Sequence, residues 1–353
     1  MKSAQSLLWP FTLPYGSWVR FRAWAYRKGI FRQKRLDGTV ISVGNLTTGG
    51  TGKTPMVCWI AHRLLAEGKN AGVLTRGYRG QSASAAKKTG ESSRITSDEV
   101  ELLKTRLGNR VAVGVGPRRF RTGQELARQG IQWFVLDDGF QHLPLARDVD
   151  IVLIDATNPF GGGKLLPAGR LREPKSALGR ADVIVITRST YAPALEAAIR
   201  RESAAPIFYA HSVLDSFHAL SDGFPAVPPI DESMNESKVR GQKLFAFCGI
   251  GNPSAFVADL CDWGIHLAGS KFFRDHHRYT QEDFREIEIE ARNAGADALL
   301  CTEKDAFNLA GVRPEALEVI FCRISLRIDR EQDFWRALLA AAESRTYSQK
   351  ATP

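Results

Sequence analysis

The sequence predicts an α/β protein: a parallel sheet with helices on both faces, then a second, smaller α/β domain, with an amphipathic N-terminal helix ahead of both. Three observations predict it. Apolar, β-branched runs alternate with helically spaced ones from residue 39 to about 205. A glycine-rich turn of the P-loop NTPase type, with Gly49, Gly50, Gly52 and Lys53, joins the first strand run to the first helical run. A second strand and helix alternation begins at Leu244, beyond a proline-rich and then polar stretch at 220–240.

The chain has 353 residues, enough for two domains with separate cores. Its hydrophobic content of 44% excludes disorder over most of the length. Residues 1–36 are expected as a basic, aromatic helix, 37–210 as the phosphate-binding domain and 211–242 as a linker or edge excursion. Residues 243–345 are expected as the second α/β domain and 346–353 as a frayed tail. Cys58, Cys248, Cys261, Cys301 and Cys322 are scattered, mostly in apolar runs, and form no Cys-x-x-Cys. They predict buried thiols in a reducing compartment, with no zinc site.

The net charge of +10 is uneven, because residues 1–36 carry eight Lys and Arg residues and no acid. Trp9, Phe11, Tyr15, Trp18, Phe21, Trp24, Tyr26 and Phe31 are interleaved with them. This mixture suits an anionic membrane surface; the alternative is a helix docking its aromatic stripe on the core. No nucleic-acid-binding motif accompanies the charge, so nucleic acid is not an expected partner. Pro10 and Pro14 interrupt the apolar run, which argues against a signal peptide or membrane span. Ser17 is placed to cap a helix running to about Phe31, with Trp18, Phe21 and Ala25 on one side.

Thr39 to Val43 reads as a buried strand and Met56 to Leu65 as a helix, so the turn between them lies at a strand end and a helix start. Backbone N–H groups of Thr48, Gly49, Gly50, Thr51 and Gly52 can turn inward on an anion there. Lys53 reaches the β and γ phosphates of a nucleotide, and Thr54 offers its hydroxyl to Mg²⁺. The strict motif asks for glycine where Thr47 stands.

Further strands are expected at Ala71 to Thr75, Val111 to Val115, Gln132 to Leu136, Asp150 to Asp155 and Asp182 to Thr187. Residues 81–94 read as a mobile loop. Ser97 can cap a helix whose first turn holds Asp98 and Glu99. Asp137 and Asp138 follow an apolar strand, the place where such folds keep a metal-binding carboxylate, although Asp138-Gly139 also reads as a plain turn. The segment 160–174 is too rich in Gly, Pro and Arg for a core element and reads as a functional loop. In the second domain, strands are expected at Leu244 to Cys248, Ala298 to Thr302 and Val319 to Ile324, and a helix at Pro253 to Trp263. Asp275, His276 and His277 share one loop, where adjacent histidines rarely face one metal. Thr302, Glu303, Lys304 and Asp305 follow a strand with spacing that is wrong for guanine reading.

In order, these segments resemble the tetraacyldisaccharide 4′-kinase family, P-loop enzymes that phosphorylate the lipid A precursor on bacterial inner membranes. The resemblance covers nearly the whole chain. It rests on Ser42-Val43-Gly44-Asn45 with residues 49–55, Thr75-Arg76-Gly77-Tyr78, Asp98-Glu99, residues 137–142, residues 166–173, Asp275-His276 and Thr302-Glu303-Lys304-Asp305. Thr47 is itself tolerated in that family. The resemblance implies ATP with Mg²⁺ as donor and an acylated glucosamine disaccharide 1-phosphate as acceptor, on the cytoplasmic face of the inner membrane, with a monomeric enzyme. It gives Asp98 the place of a general base and His276 that of its partner. Lys53 and Thr54 take the triphosphate and metal. Arg119, Asp138, Arg172 and Glu173 stand around metal and phosphates, with Thr54, Asp138 and Glu173 as metal residues. Glu99, Asp137, Gln141 and Arg172 are substrate candidates. Arg118 competes with Arg119; Arg119, four residues before Gly123, fits the family spacing better. The reading from another class is a membrane-adsorbed P-loop ATPase or switch that transfers nothing to lipid.

Overall fold

Apolar runs without polar alternation belong in strands covered on both faces, and the runs beginning at Thr39, Ala71, Val149 and Val183 satisfy this. The structure, a computed structural model, describes residues 9–77, 98–220 and 233–350, the side chains of Trp9, Asp98 and 346–350 excepted. Two units divide the chain: Met1–Gly77, Leu107–His211 and Leu326–Pro353 form the first, Tyr78–Arg106 and Ser212–Ser325 the second.

In the first unit the strands are β1 (Thr39–Asn45), β2 (Ala71–Thr75), β3 (Ala112–Val115), β4 (Trp133–Asp137), β5 (Val149–Asp155), β6 (Val183–Thr187) and the start of β7 (Ile207–Ala219). They are ordered β3-β2-β4-β1-β5-β6-β7, every pair parallel. β2, β5 and β6 are buried at every position. Strand order reverses at β1, which lies between β4 and β5, and Val43 of β1 is in register with Asp137 of β4. Open α/β sheets bind ligands at the carboxyl ends of strands at such a reversal.

Helix α1 (Trp9–Arg27) starts earlier than the sequence predicts, so Ser17 lies inside it and is not its cap. Pro10 falls in the first turn, where a missing N–H costs nothing. The helix docks by its small side: Gly16 and Ala25 are buried, and a Cβ on Gly16 would meet Leu165 Cδ1 at 2.9 Å. Tyr15 Oη donates to Arg172 O at 2.9 Å, and Arg22 Nη1 to Gln141 O at 3.2 Å. The aromatic stripe is therefore not what docks. Trp18, Phe21 and Trp24 stay exposed, their rings 6.0 and 5.9 Å apart along successive turns. Helix α2 (Lys53–Ala66) buries Met56, Val57, Ile60, Ala61 and Leu64.

In the second unit β8 (Leu244–Cys248), β9 (Leu267–Phe272), β10 (Ala298–Thr302) and β11 (Glu318–Ile328) are ordered β11-β10-β8-β9, all parallel. One core holds Phe247, Phe284, Ile287, Leu299 and Phe321, another Phe217, Phe256, Leu260, Leu300 and Ile320. Helix α3 (Asp98–Leu107) belongs here through Arg106.

The division departs from the expected boundaries in three places. β7 runs through 211–219, where polar His211, Ser212, Asp215 and Ser216 hide a strand whose far end buries Phe217 and His218. Residues 221–232 lie outside the described residues. The chain from Leu326 onward belongs to the first unit, and a helix spans Glu331–Lys350, so 346–350 are helical where a frayed tail is expected. β9 ends its sheet as a partly exposed edge strand, too polar to be read from apolar runs. The expected loop at 81–94 and the Ser97 cap also fall outside the described residues. Four cysteines are buried and Cys261 is exposed.

Candidate functional site

The chain leaves β1 at Asn45 and enters α2 at Lys53. The connecting loop thus meets a helix amino end, with its unsatisfied N–H groups and partial positive charge. Gly52 caps the helix at a φ of 84°, a left-handed conformation that glycine adopts without strain. Thr47 needs no such freedom, because it forms an antiparallel bridge with Leu171. Arg172 N–H donates to Leu46 O at 2.7 Å and Thr48 N–H to Arg170 O at 2.8 Å on either side of it. An extended arm suits a β-branched residue. The 166–174 loop therefore runs along the cradle, and Arg170 Nε reaches Thr48 O at 3.1 Å.

Lys53 Nζ donates to Asn45 Oδ1 at 3.4 Å and stands 3.7 Å from Asp138 Oδ1. Asn45 and Arg170 stand within the motifs that carry the resemblance but are given no role there. The available signals are a polar residue ending an apolar strand and an arginine inside a glycine-rich loop.

Asp137 and Asp138 play different parts. Asp137 is buried at the end of β4 and accepts a bond from Thr75 Oγ1 at 3.0 Å. Burial first, and then the Asp138 charge, push its pKa up. Asp138 takes a φ of 48°, and Gly139 N–H closes the turn on Val43 O at 3.0 Å. Arg172 Nη1 donates to Asp138 Oδ2 at 2.7 Å and to Oδ1 at 2.9 Å. Burial opposes the charge on Asp138, but Lys53 and Arg172 outweigh it and hold this carboxyl below the ordinary range. The half-buried acid of the pair is the one whose charge its neighbours favour.

Arg119 is buried at the start of α4 (Arg119–Ala127) and donates through Nη2 to Asp137 O at 3.0 Å, whereas Arg118 is exposed. His142 is pushed down to about 4 by burial, then by the Arg119, Arg147, Arg22 and Arg76 cations, so it is neutral at physiological pH.

Of the expected metal residues Thr54, Asp138 and Glu173, the two acids are each engaged by an arginine. Arg172 Nη1 donates to Gln141 Oε1 at 3.4 Å, and Gln141 Nε2 to Glu173 Oε1 at 3.1 Å, so the two acids are linked through other side chains. Arg180 pairs with Glu173 at 2.8 Å and engages both of its carboxylate oxygens. Among the described residues no group of three or more His, Cys, Asp and Glu residues is placed to hold a metal ion. The residues that fit a hard cation are the ionised Asp138 and, in the first turn of α2, Thr54.

In the second unit, Asp98 and Glu99 open α3, with the Asp98 side chain outside the described residues. Glu99 Oε1 lies 3.9 Å from His276 Nε2. Lys304 Nζ is 3.5 Å from the same nitrogen and 3.0 Å from Asp275 Oδ1. His277 turns elsewhere, with Nε2 3.1 Å from Asp283 Oδ2 and its ring 4.6 Å from Phe273. The adjacent histidines do not share a site. Asp98 and His276, expected from different domains, belong to one unit, because Arg106 ties α3 down: its Nε donates to Glu303 Oε2 at 2.7 Å and its Nη1 to Ile324 O at 2.8 Å.

Residues 4–343 match the profile of the family described as tetraacyldisaccharide-1-P 4′-kinase. A tetraacyldisaccharide 4′-kinase of Geobacter metallireducens is 42% identical over 318 residues, 87% of this chain and 89% of that one. One from an Anaeromyxobacter species is 38% identical over 333 residues, 91% of this chain and 86% of that one. The crystal structure of "apo" form LpxK from Aquifex aeolicus in complex with ATP superposes with a TM-score of 0.68 at 26% identity, covering 96% of this chain and 99% of that one. Profile, relatives and fold agree over nearly the full length, and the chain belongs to the tetraacyldisaccharide-1-P 4′-kinase family.

Proposed function

We propose that this protein transfers the γ-phosphate of ATP to the 4′-hydroxyl of an acylated glucosamine disaccharide 1-phosphate, the precursor of lipid A. The observation that carries the reading is Lys53, set at the head of α2 and 3.7 Å from an ionised Asp138 at the sheet's strand-order reversal. N–H groups of residues 49–54 cradle the phosphates, the Thr48 N–H expected among them being taken by Arg170 O, and Lys53 offsets charge as the γ-phosphoryl group moves. Thr54 and Asp138 are the residues that would hold Mg²⁺, which when bound supplies charge neutralisation at the phosphate oxygens. Arg119 adds positive charge at the end of β4, and Arg172 presents its guanidinium beside it for the acceptor sugar, while Gln141, its amide bonded to Asn45 O and Glu173 Oε1, holds Arg172 in place. Glu173, neutralised by Arg180, keeps Gln141 oriented. Asp98 accepts the proton of the 4′-hydroxyl as the new O–P bond forms and ADP leaves, and His276 orients it. The working unit is read as a monomer.

Incubation with γ-labelled ATP and the acylated disaccharide tests this: label is expected in the extracted lipid in step with ADP. Label in free phosphate alone would replace the kinase by the ATPase or switch.

The acceptor is a lipid, and the exposed stripe of Trp18, Phe21 and Trp24 supports adsorption to the anionic cytoplasmic face of the inner membrane. No helix among the described residues is long and apolar enough to cross a membrane. Each buried aromatic side chain contributes roughly 1.5–3 kcal/mol and each basic residue near the surface about 1 kcal/mol, enough for reversible binding. Because α1 also carries Tyr15 and Arg22 to the site, substitution discriminates better than deletion. A Trp18→Ser, Phe21→Ser, Trp24→Ser variant should bind anionic vesicles at least ~10-fold more weakly with ATP affinity unchanged. Unchanged vesicle binding would contradict the membrane role of this face.

A further inference from the structure

Thr302 ends β10 and caps the short helix Glu303–Asn308, and the phosphoryl-transfer reading gives Thr302 to Asp305 no task. Three successive side chains of this turn each grip a different part of the His276 neighbourhood. Asp305 is completely buried and accepts Gly249 N–H at 2.7 Å and Tyr279 Oη at 2.9 Å, besides Thr302 Oγ1 at 2.5 Å. Gly249 O in turn accepts His276 N–H at 3.0 Å, and Tyr279 lies three residues beyond His276. One carboxylate therefore clamps both flanks of the loop, which holds His276 at a φ of 62°, outside the usual range for a side-chain-bearing residue. Glu303, also buried, receives Arg106 of α3 and Arg323 Nε, the latter at 3.2 Å, and so fixes the helix that carries Asp98 and Glu99. Lys304 lies between them, on Asp275 and His276.

We infer that Glu303 and Asp305 are positioning residues that set the acid-bearing helix and the His276 loop in mutual register for proton removal. This rests on the reading of Asp98 and His276 given above. The arrangement explains why a segment with the wrong spacing for guanine still has an acid at its fourth position: the acid points into the protein and accepts bonds from the protein's own donors.

The test is a double-mutant cycle on kcat in the full chain. Asp305→Asn should lower kcat about 10²-fold, the scale of an ångström-sized misplacement, with KM for ATP unchanged. In a His276→Ala background the same substitution should cost no more than about 2-fold, since residues acting through one group are not additive. A full, multiplicative loss in that background, or an unchanged kcat for Asp305→Asn alone, overturns the inference. An unchanged kcat for His276→Ala alone would instead remove His276 from the chemistry, and this inference with it. Should Asp305→Asn not fold, Tyr279→Phe, which removes one donor from the clamp and keeps the ring, carries the same cycle: non-additivity supports the positioning role and full additivity overturns it.

Discussion

Lys53→Met is expected to lower kcat about 10²–10³-fold while the protein still folds. The size follows from what Lys53 does in the transition state: it is a preorganised cation at the γ-phosphate, and removal of a single such donor typically costs about 10²–10³-fold. A lysine that also binds ground-state phosphates adds a loss of ATP affinity, so kcat/KM should fall further than kcat. The fold should tolerate the change because Asp138 retains both bonds from Arg172. Steady-state kinetics with a thermal melt separate the two effects. Turnover within about ten-fold of the unsubstituted protein would remove Lys53 from the centre of the account.

Asp98→Asn is expected to lower kcat by about 10²–10⁴-fold, the usual contribution of a positioned base, with ATP affinity unchanged. Asparagine keeps the size and helix-start character of the residue while removing its capacity to take a proton. Asp98 opens α3, and α3 is anchored by Arg106 through Glu303. The substitution should therefore leave the His276 neighbourhood in place. His276→Ala should also lose kcat and retain ATP binding. An unchanged kcat for Asp98→Asn would transfer the base role elsewhere, and Glu99, 3.9 Å from His276, would be the next residue to substitute.

The central sheet was legible because its strands are buried on both faces and so are written in uninterrupted apolar residues. Ala71–Thr75, Leu244–Cys248 and Ala298–Thr302 have the bounds that their apolar runs predict. The phosphate loop was legible because backbone geometry at a helix amino end restricts sequence to glycine and small residues. Thr47 looked anomalous only in isolation; its bridge to Leu171 is a contact 124 residues distant, which no local pattern contains. β7 was hidden for a related reason. Its polar middle reads as linker, and what makes it a strand is pairing with β6, at Ile184 to Ile207 and onward.

The site was legible in its acids and less so in their partners. Asp137 and Asp138 are equivalent in sequence, and only Thr75 beside one and Lys53 with Arg172 beside the other set them apart. Glu173 could be matched to a family position, but its pairing with Arg180 depends on the turn between them. The grouping of α3 with the His276 loop depends on Arg106 meeting Glu303, residues almost two hundred positions apart in the chain. Charge, periodicity and glycine content report local backbone and burial; side-chain partnerships across the sheet are tertiary facts.

The account's central claim is that phosphate moves from ATP to one hydroxyl of the lipid, and ³¹P NMR of the lipid recovered after turnover tests it most directly. The predicted result is a second phosphomonoester resonance coupled to the sugar proton H-4′, beside the resonance of the original 1-phosphate. A lipid that keeps its single 1-phosphate resonance while ATP is consumed would contradict it.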